Sequence, residues 1–231
     1  MMTARPTTYA QQGMISTPHY LASQVGLRVL QEGGNAVDAA IAANATLNVV
    51  LPNQCHVGGD LFALVWNPQA ERLHGLNASG PAPAGASVEQ IRAQGHTTMP
   101  ERGALPVTVP GTVGGWSALL ERFGTKSFDE LLRPAIGYAR DGFPMSDKLT
   151  RSIEMLSPLL DRFEEAGKAF RPNGLPRAGD ILRQPRLAET FERIGREGRD
   201  GFYLGPVAAD IVRTLQAGGS AMSEDDFASF Q

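Results

Sequence analysis

GGNAVDAAIAANATLNVVLP (residues 33–52) and VGGDLFALVW (residues 57–66) predict a helix, a glycine turn and a strand in that order. Asn35 suits a helix N-cap, and Asp38 stands three residues later, where a capping-box acid is expected. The many alanines leave the helix thin on nearly every side, so we expect it to be buried against a sheet or another helix. Pro52 ends it because proline cannot continue the hydrogen-bond ladder.

The strand and the residues after it predict an antiparallel pair. Leu61–Trp66 is an unbroken apolar run, which favours a strand covered on both faces. Residues 67–69 read as a turn, and Arg72–Leu76 reads as the return strand. Two helices followed by two paired strands fit a layered α/β or α+β sandwich.

Further helices are predicted on both sides of this region. Thr17 is expected to cap the first one, with Pro18 at its first position and an apolar stripe of Leu21, Val25 and Val29. Helical spacing recurs later in the chain, at residues 113–123, 128–140, 186–196 and 207–216, and in a short helix after residue 223.

Composition excludes several classes of function. With 231 residues, 42% of them hydrophobic, residues 1–231 are expected to bury a core as a single domain. A net charge of -3 presents no basic face for nucleic acid or anionic lipid. No apolar run approaches the ~20 residues that span a bilayer, and the N-terminus lacks a secretory apolar region. We therefore expect a cytoplasmic protein that engages neither membrane nor nucleic acid.

The common catalytic signatures are absent: there is no Gly-x-Ser-x-Gly elbow, Walker loop or His-Glu-x-x-His motif. Pro110–Gly115 follows a strand-like segment, 106–109, and opens a helix, where phosphate can bind. Its glycine spacing matches neither known phosphate pattern, so close backbone packing is the favoured interpretation.

The histidines and the single cysteine do not predict a metal centre. His19, His56, His74 and His96 show no ligand spacing. Cys55 precedes His56, and a nucleophile assisted by that histidine is one alternative. Adjacent residues rarely present that geometry, so a structural loop is favoured.

Two loops remain candidates for a site. Asp60 directly follows the glycine pair, and is either catalytic or, as favoured, a residue that holds the turn through backbone hydrogen bonds. Asn77, Ser79 and Gly80 leave the second strand in a polar loop, where a site and an ordinary turn are equally compatible with the sequence. The residues alone lead no further than these two loops.

An ordered series of motifs resembles the γ-glutamyltransferase family of N-terminal nucleophile (Ntn) hydrolases, which have a four-layer αββα fold. The matching pieces extend over residues 13–231 and are Pro18–Ser23, Gly33–Ala40, Gly58–Phe62, Val109–Gly115, Tyr138–Phe143, Gly201–Gly205 and Ser223–Phe227. Each piece is weak, but the whole series in one order is specific. The resemblance implies that this chain supplies part of that sandwich.

The resemblance also implies a mechanism. Members of the family are precursors that cut themselves, and the new N-terminal threonine of the small subunit is the nucleophile that forms an acyl-enzyme. This chain would be the front part of the large subunit and would hold no catalytic residue. Its expected partners are its own small subunit, a small amide substrate and, as a further option, more copies of itself. No metal or organic cofactor is implied.

One departure bears on the substrate. The resemblance implies that true γ-glutamyl enzymes carry an arginine–glutamate pair, whose arginine grips the substrate α-carboxylate. These two positions fall on Ser79 and Gly80 here, and the family's four-glycine stretch is Gly-Gly-Asp-Leu at residues 58–61. A serine cannot make the bidentate ion pair of an arginine. The chain therefore resembles the divergent γ-glutamyltransferase-like branch, with amide hydrolysis of a small carboxylate-bearing substrate and with Asp60, Asn77, Ser79 and Gly80 as expected substrate-binding residues. The alternatives are a non-catalytic ligand-binding domain and a true glutathione transpeptidase.

Overall fold

A computed structural model describes residues 7–230, which form helices and two short antiparallel sheets. The predicted α+β class is confirmed. The helices are α1 (Tyr20–Gln31), α2 (Ala36–Val50), α3 (Val88–Ala93), α4 (Thr112–Phe123), α5 (Phe128–Asp141), α6 (Asp147–Met155), α7 (Ser157–Leu160), α8 (Glu164–Phe170), α9 (Pro185–Glu197), α10 (Asp200–Tyr203), α11 (Pro206–Ala217) and α12 (Glu224–Ser229). The strands are β1 (Leu61–Asn67), β2 (Arg72–Ala78), β3 (Phe143–Pro144) and β4 (Ile181–Leu182).

The start of α1 corrects the predicted cap. His19, not Thr17, is the N-cap, and its Nδ1 accepts a hydrogen bond of 3.3 Å from the amide of Leu21. The Thr17 hydroxyl instead donates a hydrogen bond of 2.7 Å to the carbonyl oxygen of His19. Pro18 accordingly precedes the cap and is not the first helical residue.

The cap of α2 is confirmed and also ties distant segments together. Asn35 and Asp38 form the predicted reciprocal capping box. The Asp38 carboxylate is fully buried, and it accepts further hydrogen bonds from the amide and hydroxyl of Thr125 and the amide of Lys126. One carboxylate therefore fastens the start of α2 to the connection between α4 and α5.

The alanine-rich helix lies in the core, as expected. Ala42 and Ala45 are fully buried, whereas Ala40 faces solvent. A Cβ placed on Gly26 of α1 would lie 3.1 Å from the carbonyl oxygen of Ala39, so the two helix backbones approach closely. Helices α4, α5 and α9 complete this core with large side chains, among them Trp116, Leu131, Leu132, Phe191 and Ile194.

Strands β1 and β2 form the predicted antiparallel pair, but one of its faces is open. The register pairs Leu61 with Ala78 at one end and Asn67 with Arg72 at the other. Phe62, Leu64 and Trp66 are 68%, 76% and 58% exposed. The expectation of a strand covered on both faces is therefore wrong for this chain, because its helices lie against one face of the hairpin.

The later helices α4, α5, α9, α11 and α12 agree with the predicted spans within a residue or two. Residues 106–109 were predicted to be strand-like, but they do not form a strand. Val109, the last of them, lies in close contact with the loop after β2. The short elements α3, α6, α7, α8, α10, β3 and β4 were not anticipated. Within residues 7–230, every helix is too short or too polar to cross a lipid bilayer.

Candidate substrate-binding site

The glycine turn before β1 is held by the first residues of α4. The carbonyl oxygen of Gly59 accepts hydrogen bonds from the amides of Gly111 and Thr112, each at 2.9 Å, and from the Thr112 hydroxyl at 2.8 Å. Helix N-termini present amides without intrahelical partners, and these bind acceptors readily. Here the acceptor comes from the protein itself, which supports close packing over a phosphate site at Pro110–Gly115.

The loop after β2 is held by the same segment. A Cβ on Gly80 would lie 1.6 Å from the carbonyl oxygen of Val109, and a Cβ on Gly111 would lie 1.7 Å from that of Ala78. The amide of Val109 also donates to the carbonyl of Pro81 at 3.0 Å. Two backbones thus cross in direct contact, and a glycine is required on each side.

These contacts bring the two predicted loops together at one end of the hairpin. Leu61 pairs with Ala78, so Asp60 and Ser79 flank the same end of the β1–β2 register. Both are exposed. The structure therefore places the predicted residues on one accessible edge above the N-terminus of α4. Their role in binding substrate stays a prediction.

Asn77 and Ser79 form a small turn of their own. The Asn77 side-chain oxygen accepts hydrogen bonds from the amide of Ser79 at 2.9 Å and from its hydroxyl at 2.7 Å. This is the local pattern by which asparagine stabilises a turn. It fixes the direction of the Ser79 hydroxyl, whose proton is already donated within the turn.

The Asp60 side chain does not hold the glycine turn, although a turn-holding role was the favoured prediction for this residue. Its exposed carboxylate makes no hydrogen bond or ion pair with residues 7–230, and its backbone oxygen lies 3.3 Å from the Thr112 hydroxyl. The turn is held by Thr112 and not by the Asp60 side chain. The carboxylate is therefore open to solvent at the end of the hairpin.

Cys55 and His56 do not form a nucleophile pair. Burial raises the pKa of the Cys55 thiol, which disfavours the reactive thiolate. His56 is exposed, and its ring lies against the turn, where a Cβ on Gly59 would be 3.1 Å from His56 Cε1. No group of three His, Cys, Asp or Glu side chains among the described residues is arranged to hold a metal ion.

Two residues that organise the site were not anticipated. Thr112 supplies the hydroxyl described above. Tyr203 donates its hydroxyl to the carbonyl of Pro110 at 2.5 Å and accepts from the amide of Gly114 at 3.0 Å. Burial raises the pKa of Tyr203 to about 12, so the phenol stays protonated. The Gly201–Gly205 motif could have singled out Tyr203 in the sequence. However, no pattern in the neighbouring sequence predicts that Tyr203 contacts residues 110–114.

Solved structures with this fold were found. Cephalosporin acylase from Bacillus halodurans superposes with a TM-score of 0.94 at 34% identity, over 100% of this chain and 44% of that one. The γ-glutamyltranspeptidase of Helicobacter pylori superposes with a TM-score of 0.92 at 32% identity, over 98% of this chain and 66% of that one. The chain thus has the fold of the corresponding part of these Ntn hydrolases.

Sequence comparison agrees. The glutathione hydrolase-like YwrD proenzyme of Bacillus subtilis is 40% identical over 93% of this chain and 41% of its own length. The oxamate amidohydrolase proenzyme of Klebsiella pneumoniae is 36% identical over 93% of this chain and 41% of its own length. The chain spans about two fifths of these curated relatives. Because the sequence profile described as Gamma-glutamyltranspeptidase also matches residues 22–231, the chain belongs to the γ-glutamyltranspeptidase family.

Proposed function

We propose that this chain is the front part of the large subunit of a self-processing amidohydrolase or acyltransferase. The reaction would cleave an amide bond of a small carboxylate-bearing substrate through an acyl-enzyme on the N-terminal threonine of a small subunit. Family membership supports the reaction class, and relatives named as proenzymes support processing. A non-catalytic ligand-binding domain is not favoured by these relatives.

The residues at the end of the β1–β2 hairpin support a small amide as the substrate. Ser79 and Gly80 stand where the resemblance places an arginine and a glutamate in true γ-glutamyl enzymes. The Ser79 hydroxyl donates its hydrogen bond to the side-chain oxygen of Asn77, and a side chain at position 80 would collide with the backbone of Val109. Neither position offers the bidentate cation that an α-carboxylate needs. This arrangement favours hydrolysis of a small amide over transfer of a γ-glutamyl group.

The open face of the hairpin supports a polypeptide partner. Phe62, Leu64 and Trp66 on β1 and Leu73 on β2 are all more than half exposed. A contiguous apolar face of this kind marks an interaction surface. The αββα sandwich of the family implies a second sheet, to which the small subunit would contribute. That sheet would cover this apolar face. Cytoplasmic location and a further homo-oligomer stay predictions.

The first test is made on the full-length precursor. On a denaturing gel, self-processing predicts two bands, with the smaller one beginning at threonine on N-terminal sequencing. Replacing that threonine with alanine serves as the control and should leave one band. A single band from the wild-type protein, with no amide hydrolysis, would contradict the proposal.

A further inference from the structure

The first turn of α4 has no capping side chain of its own. Its N-cap is Gly111, which has no side chain to accept a hydrogen bond from the first amides of the helix. The amides of Gly111 and Thr112 bond instead to the carbonyl oxygen of Gly59. The amide of Gly114 bonds to the hydroxyl of Tyr203 at 3.0 Å, across 89 positions of sequence. The tyrosine hydroxyl is therefore a cap that a distant segment supplies.

The ring of Tyr203 is enclosed by other aromatic rings. It is fully buried, and its centroid lies 5.1 Å from that of Phe202, 6.1 Å from that of Phe227 and 5.5 Å from that of Phe230. The hydroxyl also donates to the carbonyl oxygen of Pro110 at 2.5 Å. Because close packing sets the position of the ring, it also sets the position of the hydroxyl and with it the start of α4.

Arg199 joins this tyrosine to the end of α12. Its guanidinium carbon lies 4.8 Å from the centroid of the Tyr203 ring, as in a cation–π contact. The same side chain donates to the carbonyl oxygen of Ala228 at 3.1 Å and to that of Phe230. The last carbonyls of a helix have no partner within the helix, so Arg199 closes the end of α12 while it packs on Tyr203.

Phe230 packs directly on the first turn of α4. A Cβ placed on Gly114 would lie 2.7 Å from Phe230 Cε1 and 3.2 Å from the Tyr203 hydroxyl oxygen. A glycine at position 114 therefore lets both the ring and the hydroxyl reach the helix backbone. The contacts form a continuous series, from Arg199 and Phe230 through Tyr203 to the start of α4, and from there to the Gly59 turn.

We propose that Tyr203 is a positioning residue for amide hydrolysis and that Arg199 holds it in place. The start of α4 carries the Gly59 turn, which precedes Asp60, and it contacts the loop that contains Ser79. A shift of that helix start moves both loops relative to the substrate. Tyr203 is fully buried, so it acts through α4 and not by contact with the substrate. The inference rests on the proposed function, because these loops are its expected substrate-binding groups.

Kinetics of the processed full-length enzyme on a small amide such as oxamate test the role of Tyr203. Tyr203→Phe keeps the ring and removes the hydroxyl. Because the loops are expected to bind substrate and the nucleophile lies outside this chain, KM should rise about fivefold to tenfold, with kcat within about twofold of wild type. A lower kcat with unchanged KM would indicate only a loss of folded enzyme and would overturn the proposal. Tyr138→Phe is the matched control, since that half-buried tyrosine hydroxyl makes no hydrogen bond within residues 7–230, and it should leave both constants unchanged.

Arg199 tests the connection between the end of α12 and the site. Arg199→Lys keeps the charge but loses the planar group that stacks on Tyr203 and binds two carbonyls, so KM should rise about threefold. In the double variant with Tyr203→Phe, the rise should be smaller than the product of the two single rises, because both changes act on one contact. A rise equal to that product would overturn the role of Arg199. Asp200→Asn removes only an ion pair of Arg199 and is the control that should leave KM unchanged.

Hydrogen–deuterium exchange of the full-length protein separates this inference from the proposed function, since it needs no substrate. In Tyr203→Phe, peptides covering residues 56–62 and 110–115 should exchange at least about fivefold faster than in wild type, with residues 39–47 of α2 unchanged. Unchanged exchange of both peptides would overturn the inference. If Tyr203→Phe also loosens α2, the same comparison is made in Arg199→Lys, with the same two outcomes. Faster exchange in a protein whose wild type hydrolyses no amide would refute the proposed reaction while upholding Tyr203 as the support of the turn.

Discussion

Thr112 donates its hydroxyl to the carbonyl oxygen of Gly59 at 2.8 Å, across 53 positions of sequence. The amides of Gly111 and Thr112 bind the same oxygen. The turn before β1 is therefore positioned by the N-terminus of α4, and so is Asp60 beside it. Since Gly80 contacts the same segment, this helix end is the common support of both predicted site loops.

The Thr112 hydroxyl can be tested with an isosteric change. Thr112→Val keeps the side-chain shape but removes one buried hydrogen bond, so the free energy of unfolding should fall by about 1 kcal/mol. The amide hydrogen bonds to Gly59 remain, so the protein should still fold. The urea midpoint of the full-length protein measures the change, with Thr112→Ser as the control that keeps the hydroxyl. Equal midpoints for wild type and Thr112→Val would show that the hydroxyl does not hold the turn.

The backbone crossing predicts an intolerant glycine. Gly80→Ala places a Cβ 1.6 Å from the carbonyl oxygen of Val109, which forces the two segments apart. We expect a loss of about 4 kcal/mol or more, seen as insoluble or unfolded protein. Gly137→Ala is the matched control, since it lies in α5 with no atom within 4 Å of the new Cβ. That change should be neutral or stabilising. Normal folding of Gly80→Ala would refute the close crossing.

Asp38 predicts an acid-sensitive fold. Burial acts to raise its pKa, but hydrogen bonds from Thr125, Asn35 and Lys126 outweigh it and hold the pKa below 3.8. The unfolded chain therefore takes up this proton first as the pH falls. The stabilisation is complete well above pH 3.8 and is lost as the pH falls through the native pKa.

Asp38→Asn is the corresponding variant. It should lose about 2 kcal/mol at pH 7, because hydrogen bonds to a buried carboxylate are stronger than those to an amide. The gap in urea midpoint between wild type and variant should narrow below pH 4. A gap that is the same at pH 7 and pH 3 would exclude the ionised carboxylate as its cause.

His19 predicts a second pH dependence, in a higher range. Burial lowers its pKa below 6.5, and its Nδ1 must be unprotonated to accept the amide of Leu21. The unfolded chain binds a proton as the pH falls below 6.5, so stability decreases from there down to the native pKa. His19→Asn keeps an N-cap without a titrating group. Its midpoint should change less between pH 7 and pH 5 than that of wild type, and equal changes would contradict the role of His19.

Local features were the predictable ones. The Asn35–Asp38 capping box, the end of α2 at Pro52 and the β1–β2 hairpin follow from residues close in sequence. The cap of α1 was misassigned because Thr17 and His19 are both local candidates, and the Thr17 hydroxyl is used by a carbonyl instead. The open face of β1 was not predicted, because an apolar run indicates a buried strand but not whether the covering residues belong to the same chain.

The long-range contacts that hold the two site loops could not be predicted from such local sequence patterns. Thr112 reaches Gly59, and Tyr203 reaches Pro110 across 93 positions, through contacts that no periodicity encodes. Asp60 and Ser79 were found because polar residues at strand ends stand out. That they share one end of a hairpin required the register of Leu61 with Ala78.

Substrate preference tests the central claim most directly. The processed full-length enzyme is assayed for kcat/KM on oxamate or another small carboxylate-bearing amide and on γ-glutamyl-p-nitroanilide. We predict that a small amide is hydrolysed with a kcat/KM at least about tenfold higher, the loss expected from one missing charge-assisted hydrogen bond. Turnover of γ-glutamyl-p-nitroanilide that equals or exceeds that of every small amide would contradict the account.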